Sequence, residues 1–325
     1  RNLSRGLGDV YKRQAFIKQY GDVTQLNVGQ LDKPEPSANQ VLIKIVASGV
    51  NPVDFHIRNG MMAGTDTHVL PLVLGWDCSG VTEQIGDDVS GFKPGDKVLS
   101  FTPISEQGTN AEYIVVNADL VVAKPERMSF VDAAALPLAS VTAWQGLHTH
   151  GHIKQGQTVL IHNASGGVGS LAVQIAKAAG AYVVATASQA KLDYIKTLGA
   201  DEVHDESQTD WHSTMRFDLA FVAKAGAYLL HRTVSCVKSG GRIVSTFDEL
   251  SEGEVGIYGI SFTRMRVENS ADDLNKVLGL FNENQLIIPI DTVYPLEDIQ
   301  RAHKRSEQYK AVGKIVLTVD PKLKY

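Results

Sequence analysis

The residues with the clearest chemical signature lie in residues 158–180, where the chain reads Thr158-Val-Leu-Ile-His-Asn-Ala-Ser-Gly-Gly-Val-Gly-Ser-Leu-Ala172. A β-branched run leads into a Gly-rich turn. An apolar repeat at helical spacing follows (Val168, Leu171, Ala172, Ile175, Ala179), and Gly180 is placed to end it. That order is the context a dinucleotide-binding fingerprint requires. Ala164 takes the first glycine position, Gly166 the second and Gly169 the third. A side chain at the second would hold the backbone away from a diphosphate, and the third lets helix and strand pack closely. Ser165, Gly166, Gly167, Val168 and Gly169 would then offer backbone N–H groups to the phosphates at a helix N-terminus. Ala at the first position costs little if that residue need not adopt positive φ. A plain strand–turn–helix connection is the competing reading.

The next strand, residues 182–187, ends where an NAD site usually places Asp or Glu for the ribose 2′-OH. Here the sequence is Ala185-Thr186-Ala187-Ser188-Gln189-Ala190-Lys191, with no acid between Tyr182 and Leu192. Nothing in that stretch repels a 2′-phosphate; Ser188 can donate a hydrogen bond to it and Lys191 can supply charge. Thr186, Ser188 and Lys191 are therefore candidate cofactor contacts, and NADPH is the expected nucleotide. The alternative is that Ser188 caps a helix and Lys191 is a solvated surface lysine.

These residues need elements to position them. The first third reads as short strands between turns. Residues 41–46, 97–101 and 111–116 are β-rich, and Gly86-Asp87-Asp88 and Lys93-Pro94-Gly95-Asp96 are turn signals, so a compact β-barrel-like domain is expected. Residues 133–147 are expected to be helical in their second half. From Thr158 strands and helices alternate, with later strands at 217–222 and 242–247, which implies a doubly wound parallel sheet covered on both faces. Residues 274–281 look helical, and 314–319 form a last strand.

With 325 residues, 43% hydrophobic and 21% charged, the chain has room for two ordinary globular domains. A net charge of −5 without basic clusters argues against nucleic acid as a partner. Cys78 and Cys236 are too few for a disulfide framework or a four-thiolate zinc site, which points to a reducing compartment. No apolar run approaches the ~20 residues of a bilayer span, and residues 1–14 lack a signal-peptide core. A cytoplasmic protein without membrane contact is the expectation. Residues 1–13 are basic and without period, and are read as a non-native or disordered extension, or else a flexible arm, with the fold starting near Gln14.

With these residues placed, the chain resembles the medium-chain dehydrogenase/reductase superfamily, in its zinc-less, quinone-oxidoreductase-like branch. The motifs are Ala47-Ser-Gly-Val-Asn-Pro-Val-Asp54, Gly75-Trp-Asp-Cys-Ser-Gly80, Phe92-Lys-Pro-Gly-Asp-Lys-Val98, Ala111-Glu-Tyr113, Ala134-Ala-Leu-Pro-Leu138, Thr142-Ala-Trp144, the Gly-rich turn, Leu198-Gly-Ala-Asp201 and Gly313-Lys-Ile-Val316. The resemblance implies an α/β protein with a Rossmann domain inserted into a GroES-like β-barrel catalytic domain and the active site in the cleft. The expected division is 14–136 and 269–325 for the catalytic domain and 137–268 for the Rossmann domain. It also implies a homodimer, for which residues 257–267 are a candidate contact.

The same resemblance places Ser48 and Trp76 near two catalytic zinc-ligand positions of related alcohol dehydrogenases, and residues 139–142 offer no thiolate near the third. No metal site is expected, and Cys78 reads as a small buried residue. Hydride transfer without a metal suits an electron-poor acceptor such as a quinone or an enone. Thr142 resembles the family's Thr beside the nicotinamide. The Asn51 amide is a candidate donor to the substrate carbonyl, or else completes a turn before Pro52. Asp54 is expected to hold Asn51 or Arg58. Asp205 and Glu206 stand where relatives often have a Tyr touching the 2′-phosphate, and they weigh against NADPH without reversing it. His148, His150 and His152 read as a solvated loop. An NADPH-dependent quinone or enone reductase is the leading reading. A carbonyl or alcohol oxidoreductase and a structural or regulatory NADPH-binding protein are the others.

Overall fold

The computed structural model describes residues 11–208 and 215–322, so residues 1–10 of the expected extension lie outside the described residues. The chain divides into two units. One comprises the chain up to Leu138, Asn269–Leu274 and the chain from Ile290 onward; the other is Ala139–Glu268 with Asn275–Pro289. The expected boundary at 136/137 moves by two residues. Residues 275–289 fall with the second unit because they pack within it: the Ile287 N–H donates to Gln174 Oε1 (2.7 Å), and Lys276 sits over the Trp144 ring.

The second unit is built on six parallel strands. Their spatial order is Glu202–Asp205, Tyr182–Ala187, Thr158–His162, Phe217–Val222, Val237–Ser245, Ser261–Arg264. Counted along the chain this is 3-2-1-4-5-6, the doubly wound Rossmann order, with its switch point beside Thr158–His162. Strands Thr158–His162, Tyr182–Ala187 and Phe217–Val222 are almost wholly buried, and Leu160, Val184, Phe217, Ala220 and Ile243 share one buried core. Helix Gly167–Ala178 buries Leu171, Ala172 and Ile175 and ends at Gly180, whose φ of +77° suits a residue without a Cβ. Phe130–Ala135 and Pro137–Trp144 are both helical, so the helical stretch starts earlier than expected. It continues through Gln145–His150 as a wide π-turn, in which His148 stacks on Trp144 at 4.0 Å. The solvated loop expected at these histidines is therefore a helical segment at His148 and His150, while His152 lies past its end and is exposed.

The first unit corrects one expectation. Residues 11–13 belong to strand Tyr11–Ile17, which pairs antiparallel with Asn27–Asp32. Lys12 is buried and donates to the Tyr113 carbonyl (2.9 Å), while the Arg13 N–H donates to Glu112 Oε2 (2.8 Å). Long-range partners, invisible to periodicity, make a strand of a basic stretch. Among the described residues this unit's strands form a seven-stranded sheet, running from Ile290–Pro295 to Val121–Ala123 with Tyr113–Asn117 paired to residues 40–44, and a separate three-stranded sheet.

Strand Gln40–Val50 is the spine of that sheet. Its first half pairs with Tyr113–Asn117 and its second with Lys314–Thr318, while Asp77–Ile85 runs along its other edge. Gly49 faces Asp77 in this ladder; a Cβ there would lie 2.5 Å from the Ala134 carbonyl oxygen and 2.8 Å from Asp77 Oδ2. Neither neighbour can yield easily. Gly49→Ala is expected to cost about 1–3 kcal/mol by overpacking, read as a lower urea midpoint at unchanged m-value. An unchanged midpoint would mean that the strands part freely at this point.

Candidate active site

The Gly-rich turn is set by Asn163, which takes φ +53° directly after strand Thr158–His162. Asn is among the few residues that accept this left-handed conformation. Because Asn163 carries the reversal, Ala164 keeps negative φ, and its N–H donates to the Thr186 carbonyl (2.9 Å). Alanine at the first glycine position is thereby explained. Gly169 is required for a different reason. A Cβ there would run into the Asn163 carbonyl oxygen and come within 2.8 Å of Ala164 Cα. At Gly166 a Cβ would press on the end of the Asn163 side chain at 2.9 Å and lie 3.4 Å from its carbonyl oxygen, so a side chain there would crowd the residue that turns the chain. The helix begins at Gly167, so the N–H groups of Gly167, Val168 and Gly169 have no carbonyl one turn back to receive them. With Ser165 buried beneath them, they form an anion-directed N-terminus at the switch point of the sheet.

At the end of strand Tyr182–Ala187, Ser188 is exposed and its hydroxyl makes no capping bond. The capping alternative is thus not the arrangement found. Lys191 lies in the same turn, its N–H donating to the Ser188 carbonyl (2.9 Å). Thr186 departs from expectation. It is fully buried, and its hydroxyl bonds His162 Nδ1 (2.8 Å), so its side chain is a support rather than a cofactor contact. His162, which sequence reasoning missed, bonds Thr233 Oγ1 through Nε2 (2.9 Å), and Thr233 donates its proton to the Leu229 carbonyl (2.8 Å). With that proton spent, Thr233 accepts from His162 Nε2–H. At Nδ1 the ring bonds the Thr186 hydroxyl. One imidazole ties the first strand, the second strand and helix Ala227–Val234 together beneath the turn. A His inside an otherwise apolar strand was the available signal.

Thr142, also of this second unit, is buried in helix Pro137–Trp144.

In the first unit, Asn51 Nδ2 donates to Asp77 Oδ2 (2.8 Å) and its Oδ1 accepts from Lys314 Nζ. Lys314 also reaches Asp77 Oδ2 at 3.4 Å, and Asp77 Oδ1 accepts the Leu138 N–H at 2.6 Å. All three side chains are 3% exposed or less. Asn51 therefore completes a buried ion-pair network. A Lys and an Asp standing within apolar strand sequence were the clue to it, since a buried charge needs a partner. Asp54 holds Asn51, accepting its N–H at Oδ2 (3.0 Å), and does not hold Arg58, which bonds the Gly21 carbonyl and His303 instead. Asp54 is fully buried and its Oδ1 has no partner. Burial pushes its carboxyl up to about 8, against the Asn51 N–H and the Lys314 charge, which hold it down.

The zinc-ligand positions do not fit a metal. Ser48 Oγ is occupied by Thr109 Oγ1 (2.8 Å) and Asn110 Oδ1 (2.9 Å), and Trp76 is fully buried. Burial and the neighbouring Asp77 charge push the buried Cys78 thiol up, away from the thiolate a metal needs. Among the described residues no three His, Cys, Asp or Glu side chains are grouped to hold an ion.

Because Asp54 titrates near 8 when folded and near the ordinary ~4 when unfolded, the folded chain keeps a proton that the unfolded chain releases between those values. Its contribution to stability is full below about pH 4 and is lost as pH rises through about 8. Asp54→Asn keeps an acceptor for the Asn51 N–H and cannot ionise. Its melting temperature relative to the parent is expected to climb from about pH 5.5 to about pH 8. A difference that stays flat across this range would show that Asp54 is already ionised.

Two family profiles match the chain: "Alcohol dehydrogenase GroES-like domain" over residues 37–126 and "Zinc-binding dehydrogenase" over residues 198–317. A 2-methylene-furan-3-one reductase of Solanum lycopersicum is 36% identical over 313 residues, spanning 92% of this chain and 76% of that protein. A chloroplastic NADPH-dependent alkenal/one oxidoreductase of Arabidopsis thaliana is 34% identical, over 92% of this chain and 77% of that one. The structure of the quinone oxidoreductase from Coxiella burnetii superposes with a TM-score of 0.88 at 30% identity, covering 95% of this chain and 99% of the other. The second profile's name implies zinc, which the side chains at Ser48, Trp76 and Cys78 do not accommodate. The chain belongs to the medium-chain dehydrogenase/reductase superfamily, in its zinc-less, quinone-oxidoreductase-like branch.

Proposed function

We propose that this protein is an NADPH-dependent reductase acting on a quinone or on the C=C bond of an α,β-unsaturated carbonyl. The observation that carries the reading is the side-chain-free helix start at Gly166–Gly167, facing the switch point of a 3-2-1-4-5-6 sheet. The named activities of the tomato and Arabidopsis relatives support it. When bound, NADPH supplies the hydride. The free backbone N–H groups of Gly167, Val168 and Gly169 hold the diphosphate, since the Gly166 N–H is taken by the Asn163 carbonyl, and Ser188 and Lys191 hold the 2′-phosphate. Thr142 orients the nicotinamide. With Asn51 committed to Lys314 and Asp77, no side chain is assigned to the substrate carbonyl, and water delivers the proton.

The GroES-like unit is proposed as the catalytic domain. A homodimer through residues 257–267 belongs to the same reading, supported by Ser261–Arg264 lying last in the sheet order and by Ile257 standing 80% exposed. A cytoplasmic setting is supported by two cysteines that are both free and buried.

Purified protein should oxidise NADPH when given phenanthrenequinone or a simple enone, and should not reduce NADP⁺ with alcohols. Gly166→Val is expected to weaken NADPH binding at least about tenfold with little change in melting temperature. NADPH binding without turnover on any acceptor would replace the enzyme reading with a structural or regulatory one. A Gly166→Val protein that binds as the parent does would remove the turn from the site.

A further inference from the structure

Asp205 and Glu206 bring negative charge to the end of the second strand. Asp205 pairs with Ala187 in the parallel ladder, and the Glu206 N–H donates to the Ala187 carbonyl at 2.9 Å, one residue before Ser188. The Glu206 main chain is thereby held one residue from Ser188, in the neighbourhood of a 2′-phosphate at Ser188 and Lys191. The two acids are held differently. Asp205 Oδ1 accepts from the Ser207 N–H (3.0 Å) and hydroxyl (2.9 Å), which leaves its charge in place. Glu206 Oε1 accepts from Lys224 Nζ at 2.6 Å, with the two side chains 22% and 37% exposed.

The route of that ion pair is informative. Glu206 follows the third strand and Lys224 follows the fourth, and the sheet order puts the second and first strands between them. The strands that carry the pair are thus three spacings apart, about 14 Å. The pair reaches across the ends of the two strands from which Ser188 and the Gly-rich turn emerge. A cation so placed acts on the charge balance of the adenosine end of the site, where local potential discriminates between a bare ribose and one bearing a phosphate.

We propose that Lys224 is a specificity-determining residue: paired with Glu206 across the strand ends, it cancels the carboxylate that would otherwise repel the 2′-phosphate of NADPH. This rests on the reading that Ser188 and Lys191 mark the phosphate end of the nucleotide.

The test is calorimetric binding of NADPH and NADH to the parent, Lys224→Met, Glu206→Gln and the double variant, each checked for folding by its melting temperature. Lys224→Met is expected to weaken NADPH about tenfold and NADH less than about twofold. Glu206→Gln is expected to raise NADPH preference about fivefold, an increase that a folding defect does not produce. The double variant should return close to the parental ratio, and both single effects should shrink in about 0.5 M salt. Equal loss for both nucleotides, no change in either, or a double variant as impaired as Lys224→Met would each overturn the neutralising role. A parent protein that binds NADPH no more tightly than NADH would overturn the NADPH reading itself. A normal parental preference with an inert Lys224→Met overturns only the role given to Lys224.

Discussion

The contact on which the nucleotide-directed half depends is one of backbone against backbone, Gly169 against Asn163 and Ala164. It fixes how closely helix Gly167–Ala178 approaches the first strand. That approach decides whether the helix's first N–H groups stand at the sheet's switch point or are withdrawn from it. Asn163 absorbs the unfavourable dihedral, which frees Ala164 to pack and to bond Thr186. The division of labour is local: one residue turns the chain, and one makes room for the helix.

In the other unit the equivalent constraint is electrostatic. Asp77 and Lys314 come from strands that do not touch each other but flank Gln40–Val50, and Asn51 at the end of that strand bonds both. A buried ion pair rarely adds much net stability, yet losing one partner leaves a charge stranded without water. The pair therefore serves best as a register pin. It is satisfied only when Gly49 admits Asp77 at close range and Lys314–Thr318 lies in its own register.

The sequence made the periodic part of the fold legible. Strands 182–187 and 217–222 have the bounds expected of them, because each is an apolar run closed by turn formers. The Gly-rich turn was legible because sterics leave few residue types at Gly169. What escaped depends on partners distant in the chain. Tyr11–Arg13 becomes a strand by pairing with Gln30–Asp32, with Glu112 and Tyr113 accepting the Arg13 N–H and the Lys12 ammonium. The roles of Asn51 and Thr186 escaped for a related reason. A polar side chain beside a site has the same composition whether it faces a ligand or is already satisfied by a buried neighbour, and only Lys314 and His162 distinguish the two.

The imidazole of His162 is sealed between two threonine hydroxyls, one of which has spent its own proton on a helix carbonyl. Such a ring can neither rotate nor trade its labile hydrogen with bulk solvent while helix Ala227–Val234 stays seated. Nature has thereby placed a spectroscopic reporter at the hub of the sheet: the lifetime of that single hydrogen measures how often the floor beneath the turn comes apart.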